Sequence, residues 1–333
     1  MLTDNLIKLI ERQAALAGGL SLQLVQLLTR LWTPYRNWTD YDLLIAQAAR
    51  SATTVEAATR QTRMRQRAYM KLVYKEMQIP FPKDEDIIRL DGIEGDVEIY
   101  ERGVSPLEVY QRPAEEMRYH LSTGTPYRQS LGLAIDRLST IAETDLLLAR
   151  REEMADIYEA TPEVTGWRRI IHPELSKTGQ SCGLCVVASQ RVYNKGTLMP
   201  IHDECNCDTL PITEGNDPGL ELNEDDLKEL YAAAGSNAAG DLLSTKVSFT
   251  DHGELGPIIS TGNRQGSKQR KRAKAQKVTP AESIDNQLHV LRKSSEKLAK
   301  RLANGEDVAL SLNWQRDRIS VLETRQAALK RRK

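Results

Sequence analysis

All four cysteines of this chain fall within 26 residues, as Cys182-x2-Cys185 and then, after a loop, His202-x2-Cys205-x-Cys207. A Cys-x2-Cys turn aims two thiolates at one point, and a second ligand pair from a later hairpin completes the tetrahedron that zinc favours. That second pair is His202 with Cys205, or Cys205 with Cys207. A spacing of two residues in both halves favours Cys182, Cys185, His202 and Cys205, with Cys207 as the spare or replacement ligand. Gly183, Gly196 and Pro200 supply the turns such a knuckle needs. Four protein ligands leave no open coordination position, so the expected cofactor is a structural zinc that stabilises a small unit and does no catalysis. Disulfides, or thiols in a small core, fit the same composition, although Cys205-x-Cys207 is short for a disulfide. His172, on a β-like segment before Pro173, is read as an ordinary hydrogen-bonding residue outside the metal set.

The rest of the 333-residue chain is Cys-free, polar and rich in helical periodicity, and it contains only two Phe. Its cores are therefore expected to be aliphatic helix contacts. The fold class expected is mainly α: a multi-domain helical protein with a small zinc-stabilised α+β unit and a C-terminal helical hairpin. Residues 1–80 read as an N-terminal helical region, bent or divided at Gly18-Gly19, ended at Pro34 and resumed after an N-cap at Thr39-Asp40. Residues 81–161 read as helical with short extended pieces around Asp91-Gly92 and Glu94-Gly95. Residues 162–213 form the Cys/His unit, led by β-favouring Trp167, Ile170 and Ile171. Then come a short helical extension (214–259), a basic disordered linker (260–279) and a basic hairpin (280–333). The run Arg60, Arg63, Arg65, Arg67, Lys71, Lys75 is read as a solvated helix face.

Equal totals of 46 basic and 46 acidic residues hide an asymmetry. From Arg264 to the end there are 19 Lys and Arg against 7 Asp and Glu, a net of +12, so the first 263 residues carry −12. A basic tail of this kind suits an acidic partner, either nucleic acid or an acidic protein surface. Its candidate contacts are Arg264, Lys268, Arg270, Lys271, Arg272, Lys274, Lys277, Lys330, Arg331, Arg332 and Lys333. The N-terminus has neither the n-region nor the h-region of a signal peptide, and the stretch from Ala14 to Leu31 is interrupted by Gly, Ser, Gln and Thr. No transmembrane segment and no membrane partner are expected. Cysteines confined to one ligand-like cluster suit a reducing cytosol.

A formal Gly-x-Ser-x-Gly occurs at Gly179-Gln180-Ser181-Cys182-Gly183. A nucleophile elbow needs a buried strand before its serine, whereas Glu174 to Gln180 is polar and Cys182 belongs to the knuckle. The match is read as chance, and no catalytic residue is assigned. Phosphate-cradling, zinc-protease and dinucleotide motifs lack their residues here.

Thr165 to Lys177, Cys182-Gly-Leu-Cys185 and Met199-Pro-Ile-His-Asp-Glu-Cys-Asn-Cys207 together resemble the MuF-like minor capsid (head morphogenesis) proteins of tailed bacteriophages, most nearly those of actinobacterial phages. The specific part covers residues 164–211, closing at Pro211; Val109 to Pro113 and Ala134 to Arg137 are similar in layout only. Where the family often reads His-Pro-x-Cys-Arg-Cys, this chain has Asp203 and Asn206 in place of the Pro and Arg, with His202, Cys205 and Cys207 intact. The resemblance implies a few-copy virion protein of the head interior, assembled in the host cytoplasm. Its partners would be the portal protein and the major capsid or scaffolding protein, and its role would lie in head assembly and DNA packaging or ejection. The basic tail would then meet packaged DNA through phosphates. The rival readings are a capsid maturation protease and a zinc-containing DNA-binding protein. Against the second, residues 182–207 hold only Arg191 and Lys195 as basic side chains.

Overall fold

Leu6, Ile10, Ala14, Leu20, Leu24, Leu28 and Trp32 recur at three- and four-residue steps and form the buried face of α1 (Asp4–Trp32). The computed structural model describes residues 3–87, 104–172, 183–195, 207–224, 247–252, 256–261 and 280–331. Thr3 caps α1, its hydroxyl accepting from the Leu6 amide. The helix runs unbroken through Gly18 and Gly19, so the pair does not divide it. Each glycine costs about 1 kcal/mol of helix propensity, and the buried leucines on either side offset this by seating both halves on α2 (Tyr41–Glu76) and α5 (Tyr127–Glu159). By length and composition α1 alone among the described helices could span a bilayer. One of its faces lies in the core, and Leu16, Leu22 and Leu27 are exposed on the other.

Asp40 caps α2 as its sequence position predicts, accepting from the Leu43 amide. After α3 (Pro106–Val109), the helices α4 (Arg112–Ser122) and α5 pack as neighbours, separated by the Thr123 to Pro126 turn. From Thr144 onward α5 is buried nearly all round, although it carries Asp145, Arg150, Arg151, Glu153 and Asp156. Charges in such a place must be paired. Arg63 of α2, 4% exposed, bonds Glu152 and lies 3.7 Å from both Glu153 and Asp156. Arg67 bonds Glu153, and the Tyr110 hydroxyl donates to Asp145 at 2.6 Å. The solvated reading of the α2 basic run therefore holds for Arg65, Lys71 and Lys75, which are exposed, and is corrected for Arg63 and Arg67. Three carboxylates on the facing helix draw them inward, which no pattern within α2 could disclose.

α5 hands the chain to a three-stranded antiparallel sheet of order β2-β1-β3, with β1 (Val164–Ile170) central between β2 (Val192–Tyr193) and β3 (Asp208–Thr213). α6 (Gly183–Ser189) packs on β1. Gly166 is required where β2 crosses: a Cβ there would lie 2.5 Å from the Tyr193 carbonyl oxygen. Residues 218–224 are helical, and β4 (Val247–His252) pairs antiparallel with β5 (Gly256–Thr261). The last two correct the expected helical extension over 214–259 in part: the β-favouring Val247, Phe249, Thr250, Ile258 and Ile259 suit a paired ribbon. The expected extended pieces within 88–102 lie outside the described residues.

The hairpin of α7 (Pro280–Ala303) and α8 (Ala309–Arg331) turns at Gly305, whose φ of 86° suits glycine. It lies along α2, and Ile284, Leu288, Leu291 and Leu322 join the same apolar cluster as α1, α2 and α5.

Candidate metal centre

β1 is the platform of the Cys/His unit, and every residue of it except Thr165 is buried. Trp167 sits opposite Tyr193 in the β1–β2 register, and the two rings stack with centroids 4.2 Å apart. The pairing of Ile170 with Asp208 brings Cys207, immediately before β3, beside the chain leaving β1 at Ile171 and His172. Cys185, on α6, belongs to the same apolar cluster. Cys185 and Cys207, from the two ends of the cysteine segment, are 2% and 4% exposed and belong to one apolar cluster with Trp167, Ile170, Ile171, Tyr193 and Leu210.

A guanidinium enters this cluster. Arg169, fully buried, donates from Nη1 to Cys185 Sγ at 3.5 Å. Its main chain is fixed by the buried Asn223, whose Nδ2 donates to the Arg169 carbonyl at 2.7 Å while its Oδ1 accepts from the Ile171 amide at 3.2 Å. The neighbouring Arg168 holds Asp217 through Nε and Nη2, at 2.6–3.0 Å, and donates from Nη1 to the Ser189 carbonyl. Burial raises the Tyr193 phenol above its ordinary value of 10.0, with Arg169 and Arg191 opposing and Cys185 adding to the rise.

Beneath the sheet a polar seam joins it to the helices. The Tyr158 hydroxyl meets Thr209 Oγ1 at 3.0 Å, and Tyr74 meets Thr161 at 3.1 Å. Burial raises the Tyr158 phenol well above 10.0, against the Thr209 hydrogen bond. Burial also raises Tyr69, with Asp208 adding and Arg150 opposing.

Of the five expected metal ligands, the structure places Cys185 and Cys207 together in the core, while Cys182, His202 and Cys205 lie outside the described residues. Among the described residues no group of three metal-ligating side chains occurs. The two cysteines fit a structural zinc centre in two respects: both are shielded from water in one apolar cluster, and a buried guanidinium donates to one of the sulfurs. Of the tail residues, Lys330 is exposed on α8 and Arg331 ends that helix; Arg264, Lys268, Arg270, Lys271, Arg272, Lys274, Lys277, Arg332 and Lys333 lie outside the described residues, as does Ser181. Sequence reading missed Arg169 and Asn223. The one available signal was a pair of arginines inside a strand whose other residues ask for burial.

The hairpin's basic side chains show a different use. Arg318 forms a two-pronged pair with Glu56 of α2, at 3.1 and 2.6 Å, both side chains about 95% buried, and Arg325 lies 3.5 Å from the same carboxylate. Arg301 pairs with Asp40, and Ser294 and Gln315 bond Asp42. Part of the acidic partner expected for the basic tail is thus the chain's own second helix. No protein-family model, no curated protein and no solved structure matches the chain.

Proposed function

We propose that this chain is a structural protein of a tailed-phage head, a MuF-like minor capsid protein whose central unit is held by zinc. The zinc would be bound by Cys182, Cys185 and Cys205 with His202 or Cys207, and it would supply folding energy to a unit with little core of its own. The observation that carries the structural reading is the burial of Cys185 and Cys207 in one apolar cluster. A catalytic ion keeps one position open to substrate, and cysteines 2% and 4% exposed, in one apolar cluster with Trp167 and Tyr193, suit a closed site instead. The assignment to phage heads is supported by the sequence pattern over residues 164–211 and by the basic C-terminal region, whose exposed cations suit an interior shared with packaged DNA.

The test has two arms. Mass spectrometry of purified phage particles is expected to find the chain at a few copies per head, and its absence from particles would sink the virion reading. Elemental analysis of untagged protein is expected to give about one zinc per chain, lost in Cys185→Ser and Cys205→Ser; a folded wild type without metal would remove the zinc. For the protease alternative, Ser181→Ala is expected to leave capsid-protein processing unchanged.

A further inference from the structure

We infer that Arg150 of α5 is an anion receptor, and that with Tyr69 of α2 it binds a small carboxylate at the seam between the helices and the sheet. Arg150 is 7% exposed, its Nε is enclosed without a hydrogen-bond partner, and it forms no ion pair among the described residues. Other buried arginines are paired: Arg63 meets Glu152, Arg168 meets Asp217 and Arg318 meets Glu56. The contrast matters because a cation in a core is strongly disfavoured unless an opposite charge is fixed beside it. Water can accept from a guanidinium without neutralising it, whereas a carboxylate does both.

The face of α5 that carries Arg150 fixes its place. Arg150, Met154 and Tyr158 recur every four residues on that face. Thr209 Oγ1 donates to Met154 Sδ at 3.2 Å and meets the Tyr158 hydroxyl at 3.0 Å, so Arg150 lies one turn before them, toward the start of β3. Tyr69 packs in the same cluster as Met154 and Tyr158, is 5% exposed, and its hydroxyl makes no hydrogen bond among the described residues. Its phenol feels the charges of both Arg150 and Asp208. A guanidinium offers two parallel N–H donors that match a planar carboxylate, and the phenol supplies a third donor. Asp208, whose Oδ1 accepts from the Thr209 amide at 2.9 Å, makes no ion pair with Arg150, and its negative charge disfavours a phosphate dianion. These groups select a singly charged, planar ligand, and the burial of both donors limits it to a small molecule.

The experiment is thermal denaturation of the full-length protein at neutral pH and matched ionic strength in sodium chloride, sodium acetate or sodium phosphate. Wild type is expected to melt higher in acetate than in chloride, with a rise that grows with acetate concentration as binding to the folded state requires. In Arg150→Met that rise is expected to vanish, while melting in chloride is no lower than in wild type because the unpaired charge is gone. Tyr69→Phe is expected to need about fivefold more acetate for the same rise, and an unchanged requirement would overturn the part given to Tyr69. A wild type indifferent to acetate overturns the inference, and so does a rise undiminished in Arg150→Met. A rise in phosphate as large as that in acetate overturns the choice of a carboxylate. A folded Arg150→Met that melts below wild type in chloride would show that Asp208 already neutralises the guanidinium, and the inference falls. If Arg150→Met does not fold, Arg150→Lys decides: it keeps the charge and loses the paired donors, so a smaller acetate rise supports the site and an equal one refutes it.

Discussion

Replacing Glu56 with alanine is expected to loosen the C-terminal hairpin from α2 while leaving the rest of the helical core closed. Glu56 accepts two hydrogen bonds from Arg318 at 3.1 and 2.6 Å and faces Arg325 at 3.5 Å, with the Glu56 and Arg318 side chains only 5% and 4% exposed. Removing one partner of a buried pair strands the other charge and costs about 3–5 kcal/mol. At 1.4 kcal/mol per decade that is roughly a hundred- to several-thousand-fold in the docking equilibrium. Ile284, Leu288, Leu291 and Leu322 still hold the hairpin through burial worth about 1.5–3 kcal/mol each. The expected result is therefore faster opening rather than a free tail. Native-state hydrogen exchange resolves this, since α7 and α8 amides are expected to exchange faster by about that factor while those of α5 around Ile141 to Ile157 do not. The double replacement Glu56→Leu with Arg318→Met is expected to restore most of the protection, because an apolar pair of similar volume can replace a buried ion pair with little loss. A change below about tenfold in α7 and α8, or an equal change in α5, would refute the reasoning.

Alkaline pH is expected to unfold the sheet-to-helix seam. Burial raises Tyr69 and Tyr158 above the unfolded value of 10.0, so the stability they contribute is complete below that pH and is lost as pH rises beyond it toward their folded values. Tyrosinate absorbance and circular dichroism should then change together, and Tyr158→Phe should flatten the alkaline loss. Asn223→Ala leaves the Arg169 carbonyl and the Ile171 amide without their shared partner, at about 1–3 kcal/mol each; urea denaturation followed by Trp167 fluorescence measures it, and a loss under about 1 kcal/mol would contradict the clamp. Gly166→Ala is expected to part β2 from β1 at a cost of about 1–3 kcal/mol, since the new Cβ would meet the Tyr193 carbonyl oxygen; unchanged protection of the Tyr193 amide would refute it.

Much of the helical frame was legible because local rules act within one segment. The Thr39-Asp40 signal located the start of α2, and the pattern of residues 280–333 was enough to read a helical hairpin. The same locality explains the misreading at Gly18-Gly19, where propensity alone suggests a division and burial of leucines on both sides keeps α1 continuous.

Electrostatic partnership was decided only in three dimensions, because charges pair across elements that sequence spacing does not connect. Arg63 reads as one more cation on a solvated face until α5 sets Glu152, Glu153 and Asp156 against it. Arg318 counts in the sequence only toward the net charge of the C-terminal region, until Glu56, 262 residues earlier, accepts from both its Nη atoms. At the cysteine segment the division is equally clear. Ligand type and spacing were properties of the sequence, since coordination chemistry depends on which atoms a short turn can present. The burial of Cys185 and Cys207 in one cluster, and the guanidinium of Arg169 beside Cys185, come from a strand, a helix and a returning chain meeting in one core, where low polarity makes the position of a single charge matter.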